Sequence, residues 1–156
     1  MHLRVIAIGE RQPAWVDAAC ADYRARLPRH WQFALRTLAA SRRRRQSGAD
    51  QARLDEGERI CAELRPAERA VMLDEKGKEL SSVELAAALQ EWQTEGRDLC
   101  FVIGGPDGFS EACTARADFR WSLSRLTLPH GLARVLCIEQ LYRASTLHDG
   151  HPYHRG

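Results

Sequence analysis

The chain has almost no lysine. Of its 23 lysines and arginines only Lys76 and Lys78 are lysine. It has no apolar run long enough to span a membrane, and Met1-His2-Leu3-Arg4 does not begin a signal peptide. A cytoplasmic protein without a membrane partner is therefore expected. Its five cysteines (Cys20, Cys61, Cys100, Cys113 and Cys137) are odd in number and show no CxxC spacing. That pattern argues against a disulfide framework or a cysteine metal site and for small buried thiols. GxGxxG, GxxxxGK[ST] and GxSxG are all missing, which disfavours dinucleotide, P-loop and α/β-hydrolase chemistry. There is no internal repeat, linker or low-complexity stretch.

What is present is ordinary in bulk and uneven in detail. At 156 residues, 44% hydrophobic and 28% charged, the sequence reads as one domain spanning residues 1–156 with a real core. The arginine bias suits phosphate oxygens and base stacking, although a GC-rich genome gives the same skew. The run Arg42-Arg43-Arg44-Arg45, beside Ser41, Ser47 and Gly48, reads either as a solvated loop or as a flexible arm that neutralises phosphates.

Strand and helix patterns alternate. His2–Gly9 is a buried strand. Trp15, Val16, Ala19, Cys20 and Tyr23 recur at helical spacing, and Pro28 closes that helix. A strand is expected over Trp31–Leu38. A helix through Gly57, Ile60, Cys61 and Leu64 ends at Pro66. Ala70–Leu73 is a short strand followed by a turn, Asp74–Lys78. Ser81 and Glu84 form a capping box for a third helix carrying Leu85, Leu89 and Trp92. Leu99–Ile103 is a continuous apolar strand suited to the centre of a parallel sheet. After the turn Gly104–Gly108, Ser110 caps a short helix. Trp121–Leu128 is the last strand and Gly131–Leu147 the last helix. The alternation predicts an α/β fold, a parallel sheet with helices on both faces.

Four stretches can carry chemistry. Gly104-Gly105-Pro106-Asp107-Gly108 follows a strand where open α/β sheets bind ligands, though Pro-Asp-Gly is also a common turn formula. Leu123-Ser124-Arg125-Leu126-Thr127-Leu128 runs into Pro129, which ends any ladder and leaves backbone groups for a ligand; a plain strand end is the alternative. On the last helix Glu139, Gln140, Arg143 and Thr146 share an arc, with Glu139 and Arg143 spaced for an ion pair. They form either a solvated stripe or a buried site. The end of the chain, with His148, His151, Tyr153, His154 and Arg155, can stack on bases and pair with phosphate. No metal is expected there: Pro152 interrupts the histidine spacing, and no carboxylate or cysteine pattern completes a site.

IGGPDG, SLSRLTLPH, RVLCIEQLYRA and HPYHR, together with MHLRVIAIGE and MLDEKGKELSS, resemble in order and spacing the SPOUT-class ribosomal RNA large-subunit methyltransferase H family. The likeness runs the length of the chain. It implies a SPOUT-type parallel sheet with a carboxyl-terminal trefoil knot, a homodimer, and S-adenosylmethionine as the methyl donor. It also implies a pseudouridine N3 of large-subunit ribosomal RNA as the acceptor. The donor pocket implied comprises Leu73, Gly104, Leu123, Ser124, Arg125, Leu126, Thr127 and Leu128, with Gly105, Pro106 and Gly108 in its wall. Glu139, Arg143, Tyr153, His154 and Arg155 are implied at the RNA side. Gly150 stands where the family commonly has asparagine. Two other readings compete: a SPOUT enzyme acting on transfer RNA, and a non-enzymatic RNA-binding or ribosome-assembly factor.

Overall fold

The computed structural model describes residues 1–42 and 44–155, with the backbone alone for residues 44–46. The sheet has five strands: β1 (Leu3–Ile8), β2 (Ala34–Leu38), β3 (Arg69–Glu79), β4 (Leu99–Ile103) and β5 (Phe119–Ser122). Their order is β2-β1-β4-β3-β5 and every pairing is parallel. The helices are α1 (Ala14–Arg26), α2 (Arg44–Glu63), α3 (Ser82–Thr94), α4 (Glu111–Arg116) and α5 (His130–Asp149).

β1 and β4 are apolar at nearly every position because both of their faces are covered. Leu3, Val5, Ala7, Phe101 and Ile103 join the side chains of α1, α3 and α5 in the larger core. Ile6, Ile8, Cys100 and Val102 point the other way, into a smaller core with Ile60 and Cys113 of α2 and α4. This is period-two alternation with both faces apolar. After β3 the chain leaves through α3 on one face, and after β4 through α4 on the other. A crevice therefore opens between the carboxyl ends of β3 and β4.

Several boundaries differ from the sequence expectation. Residues 31–38 are not one strand: a 3-10 turn covers Arg29–Trp31, and Gln32 takes a left-handed conformation at φ 45° before β2 starts. Asp74–Lys78 is not a free turn but part of β3, where the ladder slips: Trp121 faces both Leu73 and Lys78, so the residues between bulge out. The last strand is Phe119–Ser122, not Trp121–Leu128, because the chain leaves the ladder at Ser122 and 123–129 is irregular. The expected basic loop overlaps the start of α2, whose helix is interrupted at Gly48 (φ 86°). Arg43 and the side chains of Arg44 and Arg45 lie outside the described residues. The cysteines are all free thiols, four buried and Cys61 half-buried.

α5 is fixed to the end of β1 by an internal arginine. Arg134 is 2% exposed and its Nη2 donates to the carbonyls of Gly9 at 2.8 Å and Ile8 at 3.5 Å. Burial pushes its guanidinium pKa down.

Candidate functional site

A cavity of about 800 Å³ occupies the crevice at the carboxyl ends of β3 and β4. Leu73, the last β3 residue paired with β4, and Ile103, the end of β4, lie at its floor. Gly104, Gly105, Pro106 and Gly108 form one wall, and Leu123, Ser124, Leu126, Thr127 and Leu128 the opposite one. The glycine wall is a closed turn: Gly108 N–H donates to the Gly105 carbonyl at 3.1 Å. The opposite wall lies outside the sheet ladder. It is held by short local bonds, Ser122 Oγ to the Ser124 carbonyl at 3.0 Å and Leu126 N–H to Ser124 Oγ at 3.0 Å. Leu126 is 73% exposed, an apolar side chain left in water at the cavity's lip.

Ten of the eleven residues expected around a donor thus line one cavity. Arg125 does not: its side chain projects outward, 3.6 Å from Glu79. The cavity also takes in residues that the sequence reading did not assign to it, among them Arg53, Asp74, Glu75, Lys76 and Arg120. Three of these come from the bulge in β3, which turns a sequence-level turn into a charged wall. Arg120 Nη2 and Nε donate to Asp74 Oδ2 at 2.6 and 3.1 Å. Burial alone pushes the Asp74 carboxyl up, but its bonds from Arg120 and from the Lys76 N–H outweigh that and hold its pKa below the usual range.

The residues expected at the RNA side form a second cluster, and none of them lines the cavity within the same chain. Glu139 is 9% exposed, so the arc it shares with Arg143 is not a solvated stripe. Its carboxylate accepts from Arg143 Nε at 3.0 Å and Nη2 at 2.8 Å, from Gln140 Nε2 at 2.6 Å, and from Tyr153 Oη at 3.0 Å. Ser82 Oγ donates in turn to Gln140 Oε1 at 2.6 Å, tying the network to α3. The Arg143 guanidinium sits 4.7 Å from the Tyr153 ring centroid, and the Tyr142 ring is 4.6 Å from that of Tyr153. Burial pushes the Tyr153 phenol pKa up, and its bonds to Tyr23 and Glu139 push it the same way, so it stays a proton donor at neutral pH.

His154 and Arg155 lie on a 3-10 turn, Pro152–Arg155, that packs on α5. His154 Nδ1 is buried and has no hydrogen-bond partner among the described residues. Among those residues no group of three or more His, Cys, Asp and Glu is gathered as for a metal, and no helix is long and apolar enough to cross a membrane.

The arrangement is a roomy cavity of mixed polar and apolar lining, with a separate cluster of cation, phenol and imidazole. It fits a small charged ligand in one place and a planar polar ring in the other. The chain is similar over its whole length to known proteins. Ribosomal RNA large subunit methyltransferase H of Methylococcus capsulatus is 46% identical over 155 residues, covering 99% of this chain and 100% of that one. The protein of that name from Thioalkalivibrio sulfidiphilus is 48% identical over 157 residues, 99% of each chain. That from Hahella chejuensis is 42% identical over 155 residues, again 99% of each. Residues 1–154 match the family described as predicted SPOUT methyltransferase, and with the parallel sheet and its crevice this chain belongs to the SPOUT methyltransferase family.

Proposed function

We propose that this chain methylates N3 of a pseudouridine in large-subunit ribosomal RNA, using S-adenosylmethionine bound in the cavity at the ends of β3 and β4. The observation that carries this reading is the cavity itself, walled by a glycine turn and a ladder-free loop in a chain of this family. The lining suits the donor. Gly105 brings bare backbone to the cavity edge, Leu73, Ile103 and Leu128 offer apolar surface, and both charge signs are at hand for an amino acid moiety and a sulfonium. The donor supplies an already activated methyl group.

The chain's own residues then have the task of holding the acceptor and managing its proton. A uracil-type N3 proton is weakly acidic at pH 7, so it needs an acceptor, and the ring anion needs a cation. Arg143 is pre-set by Glu139 and Tyr153 for the second role, and Arg155, on the tail, is a second candidate for it. The imidazole of His154, on the tail's 3-10 turn, is assigned the first role. The two clusters are separate in one chain, so the complete site is read as formed by two copies, one holding the donor and its partner presenting the tail. The trefoil knot implied by the family resemblance, a cytoplasmic location and the absence of a bound metal belong to the same proposal.

Calorimetry with S-adenosylmethionine, together with mass mapping of ribosomal RNA from a deletion strain, tests it. Donor affinity and one methyl group missing from a large-subunit pseudouridine are the expected results. Absence of donor affinity would leave an RNA-binding factor, and a methyl group missing from transfer RNA would move the substrate.

A further inference from the structure

Two thiols meet behind the cavity. Cys61 of α2 and Cys113 of α4 are 52 positions apart in sequence, yet their Sγ atoms lie 3.9 Å from one another. Cys113 is buried, and its Sγ also donates to the Gly57 carbonyl at 3.5 Å. Cys61 is half-buried, the one cysteine of the five that is not closed off in the interior. Burial pushes the Cys113 thiol up to about 11, which leaves Cys61 the first to react. Both helices brace the cavity. Thr114, next to Cys113 on α4, lines it. So does Phe109, just before the helix cap Ser110, and a Cβ on Gly104 would stand 3.1 Å from its ring. Ser110 Oγ accepts from the Cys113 N–H at 3.3 Å, and the Thr114 N–H and Oγ1 donate to the Ser110 carbonyl at 3.0 and 3.2 Å. The cap, Cys113 and Thr114 therefore move as one piece. On α2, Glu56 is buried at 2% exposure and its Oε2 accepts from the Ser41 N–H at 3.1 Å. Its carboxylate rests on the glycine turn, where a Cβ on Gly105 would stand 2.7 Å from Oε1. Gly57 abuts Ser110 with no room for a side chain, since a Cβ there would be 2.2 Å from Ser110 Oγ. α4 thus cannot slide toward α2 at that point, and bringing Cys113 to Cys61 turns α4 about Ser110.

We propose that Cys61 and Cys113 are a redox modification site: hydrogen peroxide joins them in an intrachain disulfide that turns α4 and weakens donor binding. The effect on the donor rests on reading the cavity as the donor site. The Cys61 thiolate attacks a peroxide oxygen, the O–O bond breaks, and the departing hydroxide takes up the thiol's proton as water, leaving a sulfenic acid. The Cys113 sulfur then attacks the sulfenic sulfur, the S–O bond breaks, and the hydroxyl leaves with the Cys113 proton as a second water. Two thiols give up two electrons and one peroxide becomes two waters. The sulfur atoms must close from 3.9 Å to about 2 Å, a movement that Phe109 and Thr114 transmit to the cavity wall. A dithiol reverses the bond by exchange. In a reducing compartment such a pair is a transient sensor and not a structural bridge.

The test compares the full chain as wild type and as Cys61→Ser, each reduced with dithiothreitol, treated with stoichiometric hydrogen peroxide, and reduced again, with melting curves to establish folding. Mass spectrometry of non-reduced tryptic peptides, fragmented to separate Cys113 from Cys100, should find Cys61 joined to Cys113 in the peroxide-treated wild type. Calorimetry should show S-adenosylmethionine binding weakened by roughly five-fold or more on oxidation and restored by the dithiol. Reduced Cys61→Ser should bind the donor within about two-fold of wild type and ignore peroxide. In the wild type, which needs no variant to fold, oxidation should also speed hydrogen exchange at the Thr114 amide, because turning α4 strains that bond. The proposal is overturned if peroxide leaves the two cysteines unjoined, or if they join and neither donor affinity nor the Thr114 amide changes. It is overturned equally if Cys61→Ser loses donor affinity to peroxide as wild type does. A reduced wild type with no donor affinity instead sinks the reading of the cavity, and the peptide masses and the Thr114 amide then decide the disulfide and its effect on α4.

Discussion

Gly57 shows how much one missing side chain decides. It lies inside α2, where alanine normally gains up to about 1 kcal/mol over glycine. Here a Cβ would stand 2.2 Å from Ser110 Oγ and 2.9 Å from Ser110 Cβ. Gly57→Ala should therefore destabilise by about 1–3 kcal/mol, the cost of overpacking, as measured by urea unfolding; stabilisation would mean that α4 yields freely. His154 carries a second expectation. If its imidazole takes the N3 proton, His154→Ala should lose activity by roughly 100-fold or more and flatten the lower limb of the pH–rate profile. Near-normal turnover at every pH would assign the proton elsewhere. The sequence made such residues visible unevenly. Glu139 and Arg143 were legible as an i,i+4 pair, and the structure gives them that pair at 2.8 Å. Glu56 was not legible, because nothing local distinguishes a buried glutamate from a solvated one on a helix this rich in charge. Its partners Ser41 and Gly105 are 15 and 49 positions away.

Elements were read best where a single local rule decided them. The Ser81–Glu84 capping box is present with both of its bonds, Glu84 N–H to Ser81 Oγ at 3.1 Å and Ser81 N–H to Glu84 Oε2 at 2.7 Å. The apolar run Leu99–Ile103 is the strand between β1 and β3. Reading failed where tertiary pairing overrode the local pattern. The hydrophobic alternation of residues 121–128 looks like strand, yet the partner strand β3 ends at Glu79, opposite Ser122. No ladder remains for Leu123 onward, and the segment becomes a cavity wall instead. In the same way Asp74–Lys78 looks like a turn, but Gly77 lets it lie against β5: a Cβ there would be 2.6 Å from the Arg120 backbone. For the arginine segment the expectation is electrostatic. Replacing Arg42 to Arg45 by glutamine should weaken ribosome binding and flatten its salt dependence. The log–log slope should fall by roughly 0.7–0.9 for each phosphate that is no longer neutralised. An unchanged slope would return the segment to a solvated role.

At the scale of the whole molecule, the two ends of the sheet do different work. At the amino end Arg4 Nε and Nη2 donate to Glu68 at 2.6 and 2.8 Å in a buried pair. Burial pushes the Glu68 carboxyl up, but the bonds from Arg4 and from the Arg65 N–H outweigh it and hold its pKa below the usual glutamate value. A depressed folded pKa gives stability that is present above the unfolded value, about 4.3, and lost as pH falls through the folded one. Glu68→Gln should cost on the order of 3 kcal/mol at pH 7 and lose less than wild type between neutral pH and pH 3, by denaturant melts. At the carboxyl end lies the cavity; apart from it, packed on α5, is the tail cluster. No local pattern reveals how such distant parts meet, because a path through a knot or a partner chain is a property of the whole trace. If two copies complete each site, two defective proteins should repair one another. Thr127→Trp, at an exposed position, blocks the cavity and leaves the tail intact. Tyr153→Ala with His154→Ala disables the tail and leaves the cavity intact. Each homodimer should be inactive. Co-refolded at equal amounts, half of the dimers are mixed, and each mixed dimer holds one intact site of its two. About a quarter of wild-type activity should return, as expected of an isologous pair. No recovery would place donor and nucleobase within a single chain. That would require the tail to leave Tyr23 and Glu139 and cross to the cavity during the reaction.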